Sequence, residues 1–165
     1  MMRRLFLPLL AGCLLFASCA STPPAGDGAG DSGNSSSQGN QEEVNQAFEK
    51  VYHDYGQLLI MEGADKYQVQ YGDTLSSIAK DFYGKDNGYY FPLIMLASSQ
   101  TVLDPDLIEP GMSLTVPDLQ RNLQDSAVRD GLRPFFTEMS DVYRNKQNST
   151  AERTRQELLK IAEGL

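Results

Sequence analysis

The spacing of apolar residues in the centre of the chain changes twice within about fifty positions. Apolar Tyr67, Val69 and Tyr71 alternate with polar residues, which predicts a half-buried strand. Helical spacing follows, and residues 114–116 then predict a second short strand that ends before Pro117. The central pattern is therefore strand, helix, helix, strand.

The two central helices are separated by a polar break at residues 84–88. The first helix has its apolar residues at helical spacing: Leu75, Ile78, Ala79 and Phe82. The second helix is predicted over about residues 89–98, where Pro92 is tolerated only in the first turn. Together with the strands, these helices predict a small α+β fold.

Residues 42–62 predict an amphipathic helix that precedes the central pattern. Its apolar stripe consists of Val44, Phe48, Val51, Tyr52, Tyr55 and Leu59. His53 is the only histidine of the chain and faces away from this stripe. Because it has no partner at ligand spacing, we expect a solvated side chain and no metal site. The stripe is expected to pack on the rest of the chain, and a groove-binding role toward a partner is the alternative.

Residues 119–165 predict a helical hairpin. Its first apolar stripe is Val128, Leu132, Phe135, Phe136, Met139, Val142 and Tyr143, and its second is Leu158, Ile161, Ala162 and Leu165. Pro134 interrupts the first stripe, so that helix either kinks there or begins near Arg133. Residues 149–152 have the spacing of a capping box.

The N-terminus has the features of an export signal. Arg3 and Arg4 precede an apolar run over residues 5–16, which is too short to span a membrane. Residues 16–19 read Phe-Ala-Ser-Cys, which resembles a bacterial lipoprotein signal. The resemblance implies removal of residues 1–18 and lipid attachment at Cys19; the alternative is ordinary secretion with cleavage at Ala20, where Cys19 has no role.

A tether is predicted between the lipidated cysteine and the first helix. Residues 19–41 are rich in Gly, Ser, Pro and Asn and have almost no apolar side chain to bury. We therefore expect a flexible spacer that allows a membrane-anchored domain to reach outward. In diderm bacteria, Ala20 after the lipidated Cys19 resembles a signal for the outer membrane, which would place the protein in the periplasm.

Charge and motifs narrow the function classes. The formal net charge of −8 argues against a nucleic-acid binder, which needs clustered Lys and Arg to neutralise phosphates. No nucleophile–histidine pair, metalloprotease motif, nucleophile elbow or phosphate-binding loop occurs in the sequence. A binding role without catalytic residues, cofactor or metal is therefore expected.

The central segment, residues 67–118, resembles the LysM domain. Two motifs carry the resemblance: residues 67–79, with Gly72-Asp73-Thr74-Leu75, and residues 106–117, which end in Leu-Thr-Val-Pro. It implies a βααβ fold, so the chain is expected to be a LysM domain flanked by an N-terminal helix and a C-terminal hairpin. The segment has Phe91 and Ser98-Ser99 where many LysM domains carry Trp and Asn.

The resemblance also implies a ligand, which is an N-acetylglucosamine-containing glycan such as peptidoglycan. It places the glycan between the loop after the first strand and the loop before the second. The residues at the matching positions are Gly72, Asp73, Thr74, Leu75, Asp106, Leu107, Ile108 and Pro110. Two alternatives stay open: these residues determine only the fold, or the protein is an envelope assembly factor that binds a protein partner through its flanking helices.

Overall fold

The computed structural model describes the backbone of residues 35–165 and the side chains from residue 39 onward. The predicted signal over residues 1–18, the lipidation site at Cys19 and most of the predicted tether lie outside this range. Helix α1 spans Ser35–Tyr55. It begins inside the segment predicted as tether and ends before residue 62, at the turn in which the Leu58 N–H donates to the Tyr55 carbonyl. Among the described residues, no helix is long and apolar enough to cross a membrane.

The central segment forms a βααβ unit, which we define as residues 65–116. Strands β1 (Asp65–Gln68) and β2 (Ser113–Val116) pair antiparallel. Two backbone hydrogen bonds extend the pairing, from the Val69 N–H to the Met112 carbonyl and from the Gly111 N–H to the Val69 carbonyl. Because an isolated pair of strands is marginal in water, this sheet depends on the helices packed against it.

Helix α2 (Leu75–Tyr83) begins with a capping box between Thr74 and Ser77. The predicted polar break is a 3₁₀ turn, Lys85–Tyr90, and it leads directly into α3 (Phe91–Ala97). Pro92 lies in the first turn of α3, where its missing N–H costs nothing. The predicted order of strand, helix, helix, strand is confirmed.

The predicted strand is wrong at Tyr71. Strand β1 ends at Gln68, and Tyr71 is 96% exposed, although the alternation placed it on the same face as Val69. The chain turns at Gly72, which has a φ of 90°, so the period of two stops before Tyr71 can face the core. Phe82 is also more exposed than its helical spacing predicts, at 40%, and meets Tyr67 edge-on.

Three helices follow β2, namely α4 (Leu119–Gln124), α5 (Ser126–Asn145) and α6 (Ala151–Gly164). We call α5, α6 and their connection, residues 146–150, the C-terminal hairpin. Helix α5 continues through Pro134, so a start near Arg133 is wrong. The predicted capping box also does not form, because Thr150 is the N-cap of α6 without a side-chain cap bond. The Thr150 N–H instead donates to the side chain of Asn148.

The flanking helices share one core with the βααβ unit. Aromatic rings join the elements: α1 and α5 meet through Tyr55 and Phe135, whose ring centres lie 5.5 Å apart. Tyr143 of α5 packs edge-on against Phe91 of α3 at 6.3 Å. The apolar stripes of α1 and of the C-terminal hairpin are therefore buried largely within the chain itself.

Candidate functional site

The loop after β1 (the first loop, residues 69–74) is held by the carboxylate of Asp73. This group accepts hydrogen bonds of 2.7 Å from the Gln70 N–H and from the Tyr67 hydroxyl. The second bond raises the pKa of Tyr67, because it favours the protonated phenol. A Cβ at Gly72 would meet no atom within 4 Å, so the turn is open to solvent, but its φ of 90° favours glycine. Asp73 therefore shapes the loop with both of its hydrogen bonds.

The loop before β2 (the second loop, residues 103–112) is organised by Asp104. Its buried carboxylate accepts from the Asp106 N–H and caps the 3₁₀ turn Pro105–Leu107. Leu107 is 60% exposed, and Ile108 is partly buried against the core. This loop therefore presents the apolar side chain of Leu107 to solvent.

Charged and polar side chains from outside the βααβ unit fix the second loop. The Lys146 ammonium group binds the carboxylates of Asp104 and Asp106, the latter at 2.8 Å. The Asn148 side chain donates to Asp106 at 2.8 Å, and the Gln41 side chain donates to Asp104 at 3.0 Å. The Asp106 carboxylate is consequently engaged by the C-terminal hairpin.

Two buried tyrosines lie next to this cluster. The Tyr52 hydroxyl of α1 donates to the Leu103 carbonyl at 2.9 Å, at the start of the second loop. Burial raises the pKa of Tyr52 and of Tyr143, and the negative charge of Asp104 acts in the same direction. Both phenols are neutral at physiological pH, so they contribute packing and a hydrogen bond without adding charge.

A groove of about 270 Å³ lies between the two loops. It is lined by residues of the first loop and α2 (Thr74, Leu75, Ser76), of the segment before α3 (Tyr89, Phe91), of the second loop (Pro105, Asp106) and of the C-terminal hairpin (Tyr143, Thr150, Thr154). The lining combines aromatic rings and a proline with several hydroxyl groups. Such a mixture suits a ligand with both apolar and hydrogen-bonding faces.

The groove brings together three of the eight residues predicted to contact a glycan, namely Thr74, Leu75 and Asp106. Leu75 is only 2% exposed, so its side chain belongs mainly to the core. The other five lie on the two loops but outside the lining of the groove: Gly72, Asp73, Leu107, Ile108 and Pro110. Their contact with a glycan stays a prediction.

Sequence reasoning missed several exposed or groove-lining residues. Tyr71 is exposed within the first loop because the strand ends early, and the Gly72 turn signal could have indicated this. Thr150 and Thr154 reach the groove from about forty residues beyond the second loop. No local pattern of the sequence indicates that contact, since it depends on how α6 packs.

Comparison with known proteins identifies the central segment. Residues 67–117 match the family model described as LysM domain. Two proteins named esterase, from two strains of Mycobacterium tuberculosis, are each 38% identical to this chain over 66 residues. The aligned part is 40% of this chain and 14% of each relative, so the chain matches only a small part of those proteins. No solved structure matches the chain.

Proposed function

We propose that this protein is a membrane-anchored lipoprotein of the bacterial envelope that binds peptidoglycan non-covalently through its single LysM domain. LysM domains are in general modules that bind N-acetylglucosamine polymers such as peptidoglycan. The observation that carries the proposal is the groove between the first and second loops, both of which lie in the segment that matches the family. The name esterase belongs to relatives of which only 14% is aligned, and we propose a binding role rather than a catalytic one.

The chemistry of the groove supports a saccharide ligand. An acetamido sugar offers a methyl group and hydrophobic ring hydrogens, which suit the side chains of Tyr89, Phe91 and Pro105. Its hydroxyl and amide groups suit the hydroxyl of Ser76, whereas the Thr74 hydroxyl is engaged in the capping box of α2. A groove of this size is expected to bind weakly, and a polymeric glycan compensates because a released domain rebinds nearby.

Membrane attachment fits the same role. The proposed lipid on Cys19 and the tether that follows would hold the domain beside the cell wall, and in a diderm bacterium on the periplasmic face of the outer membrane. Attachment raises the local concentration of glycan around each domain. The alternative of a protein-binding assembly factor has less support, because the apolar stripes of α1 and the hairpin pack largely within the chain.

Co-sedimentation with insoluble peptidoglycan tests the proposal. We expect residues 20–165 to sediment with peptidoglycan at micromolar concentration and moderate salt. Leu107→Asp on the second loop should weaken the interaction about tenfold or more, since it places a carboxylate where an apolar contact is expected. Met61→Asp is the matched control, because Met61 is also an exposed apolar residue but lies outside both loops.

A wild-type chain that stays in the supernatant would show that the proposal is wrong. Equal sedimentation of the Leu107→Asp and Met61→Asp proteins would show that Leu107 does not contact the glycan. Circular dichroism of each variant checks that a loss of sedimentation does not come from unfolding.

A further inference from the structure

The groove has a side that the βααβ unit does not supply. Tyr143 comes from α5, Thr150 precedes α6, and Thr154 lies in its first turns. All three are outside residues 67–117, the part of the chain that matches the LysM domain. The C-terminal hairpin is thus a third wall beside the first and second loops.

Thr154 is the residue of this wall that most clearly faces a ligand. Its side chain lines the groove although the residue is only 8% exposed. Within residues 39–165, its hydroxyl has no hydrogen-bonding partner in the protein, whereas the Thr150 hydroxyl donates to the Asn148 side chain. Because the Thr154 oxygen is not among the fully buried unpaired polar atoms of the described residues, it remains accessible from the groove. Thr154 is therefore set up to donate to, or accept from, a bound molecule.

The wall is held in place by the connection between α5 and α6. The side chains of Lys146 and Asp104 are 5% and 2% exposed, and this ion pair joins the connection to the second loop. Asn148 adds a hydrogen bond to Asp106. Since buried polar contacts need defined geometry, the hairpin keeps a fixed position relative to the second loop.

The charges around the groove limit the class of ligand. Asp106 is the only charged side chain of the lining, and Lys146 and Asn148 already engage its carboxylate. The lining thus offers no free cation for an acidic group, but it offers several hydroxyls. Neutral sugar hydroxyls and acetamido groups match this set of partners.

We propose that the C-terminal hairpin is part of the saccharide site, and that the Thr154 hydroxyl is a specificity-determining contact to a neutral N-acetylhexosamine unit. This inference rests on the proposed function and adds to it, because it makes glycan recognition depend on residues outside the LysM domain. A groove of about 270 Å³ lies near the lower end of ordinary small-molecule sites, so it suits a short stretch of sugar.

Titration calorimetry with a soluble tetramer of N-acetylglucosamine tests the inference, using residues 20–165. Thr154→Val removes the hydroxyl and keeps the shape of the side chain, and we expect it to weaken binding roughly two- to tenfold, the range of one neutral hydrogen bond. Thr137→Val is the matched control, since the Thr137 hydroxyl bonds the Arg133 carbonyl of its own helix and is exposed. It should bind as the wild type does.

A second pair of variants tests the same inference if the Thr154→Val protein does not fold. Thr150→Trp places a large ring at the exposed edge of the groove and should weaken binding more than tenfold. Arg153→Trp adds the same ring at an exposed position of α6 outside the lining and should not.

The possible outcomes distinguish a failure of this inference from a failure of the proposed function. If the wild type binds the tetramer and both Thr154→Val and Thr150→Trp bind equally well, the hairpin is not part of the site, and the proposed function stands. If the wild type binds neither the tetramer nor peptidoglycan, the proposed function is wrong and this inference is wrong with it. Binding lost only in the two groove variants supports the third wall.

Discussion

The ammonium group of Lys146 forms an ion pair with the carboxylate of Asp104, and both side chains are almost fully buried. Lys146 belongs to the connection between α5 and α6, and Asp104 caps the 3₁₀ turn of the second loop. The same ammonium group lies 5.5 Å from the centre of the Phe48 ring of α1. One cation therefore joins the C-terminal hairpin, the N-terminal helix and the loop that borders the groove.

Lys146→Met is expected to lower the free energy of unfolding by about 3–5 kcal/mol, because it leaves the buried Asp104 carboxylate without its main partner. The loss would be a large part of the stability of an ordinary domain, about 5–15 kcal/mol. Urea denaturation followed by circular dichroism measures the change.

Lys160→Met is the matched control for that substitution. Lys160 pairs with Glu157 on the surface of α6, with two thirds of its side chain exposed, so its removal should change stability by about 1 kcal/mol or less. If the two variants unfold at the same urea concentration, the buried ion pair does not stabilise the fold as argued.

Ser98→Ala is expected to destabilise the βααβ unit by about 1–3 kcal/mol. The Ser98 hydroxyl accepts from the Thr115 N–H at 2.8 Å and donates to the Thr115 carbonyl at 3.3 Å. These two hydrogen bonds connect the C-terminal end of α3 to β2. Ser99→Ala alters the neighbouring, more exposed serine and should change stability by about 0.5 kcal/mol or less. Thermal melts of both variants decide whether the two serines differ in this way.

Much of the βααβ unit follows from its sequence because its signals are local. Thr74 and Ser77 cap α2, and Pro92 fixes the start of α3. Gly72 and Gly111 have φ angles near 90° and place the turns that end β1 and precede β2. Each of these signals acts within a few residues, so one sequence suffices to place the elements and the two loops.

The rest depends on contacts between distant parts of the chain. Helical spacing predicts an apolar stripe through Pro134 but cannot decide whether α5 starts there or continues, since packing of Phe135 and Phe136 in the core holds the helix together. The pairing of Lys146 with Asp104 spans 42 positions, and the position of Thr154 at the groove depends on how α6 packs. No sequence pattern within a single helix or loop predicts either contact.

Asn122→Ala is expected to lower the free energy of unfolding by about 1–3 kcal/mol. The fully buried Asn122 side chain accepts from the Ile60 N–H at 2.8 Å and donates to the Ile60 carbonyl at 3.1 Å. It thus pairs both backbone groups of a residue in the irregular segment between α1 and β1. Hydrogen exchange should show lost protection at the Ile60 amide, whereas Gln120→Ala at an exposed position of α4 should leave that amide protected.

The carboxyl group of Glu152 provides a pH-dependent prediction for the C-terminal hairpin. Hydrogen bonds from the Arg155 side chain, at 2.9 and 3.0 Å, lower the pKa of Glu152 to about 2 from an ordinary 4.5, and a bond from Gln156 adds to the effect. Since the folded pKa is below the unfolded one, the stabilisation is present above pH 4.5 and is lost as the pH falls toward 2. The group is exposed, so its contribution to folding is small and screened by salt.

Carbon-13 NMR of the glutamate carboxyl groups measures this titration directly. We expect the midpoint of Glu152 to lie near pH 2 in the wild type and to rise toward 4.5 in Arg155→Gln, which removes the guanidinium group but keeps a polar side chain. Added salt should raise the wild-type midpoint as well, because it screens the attraction to Arg155. A midpoint that is the same in both proteins would show that Arg155 does not hold the carboxylate at the start of α6.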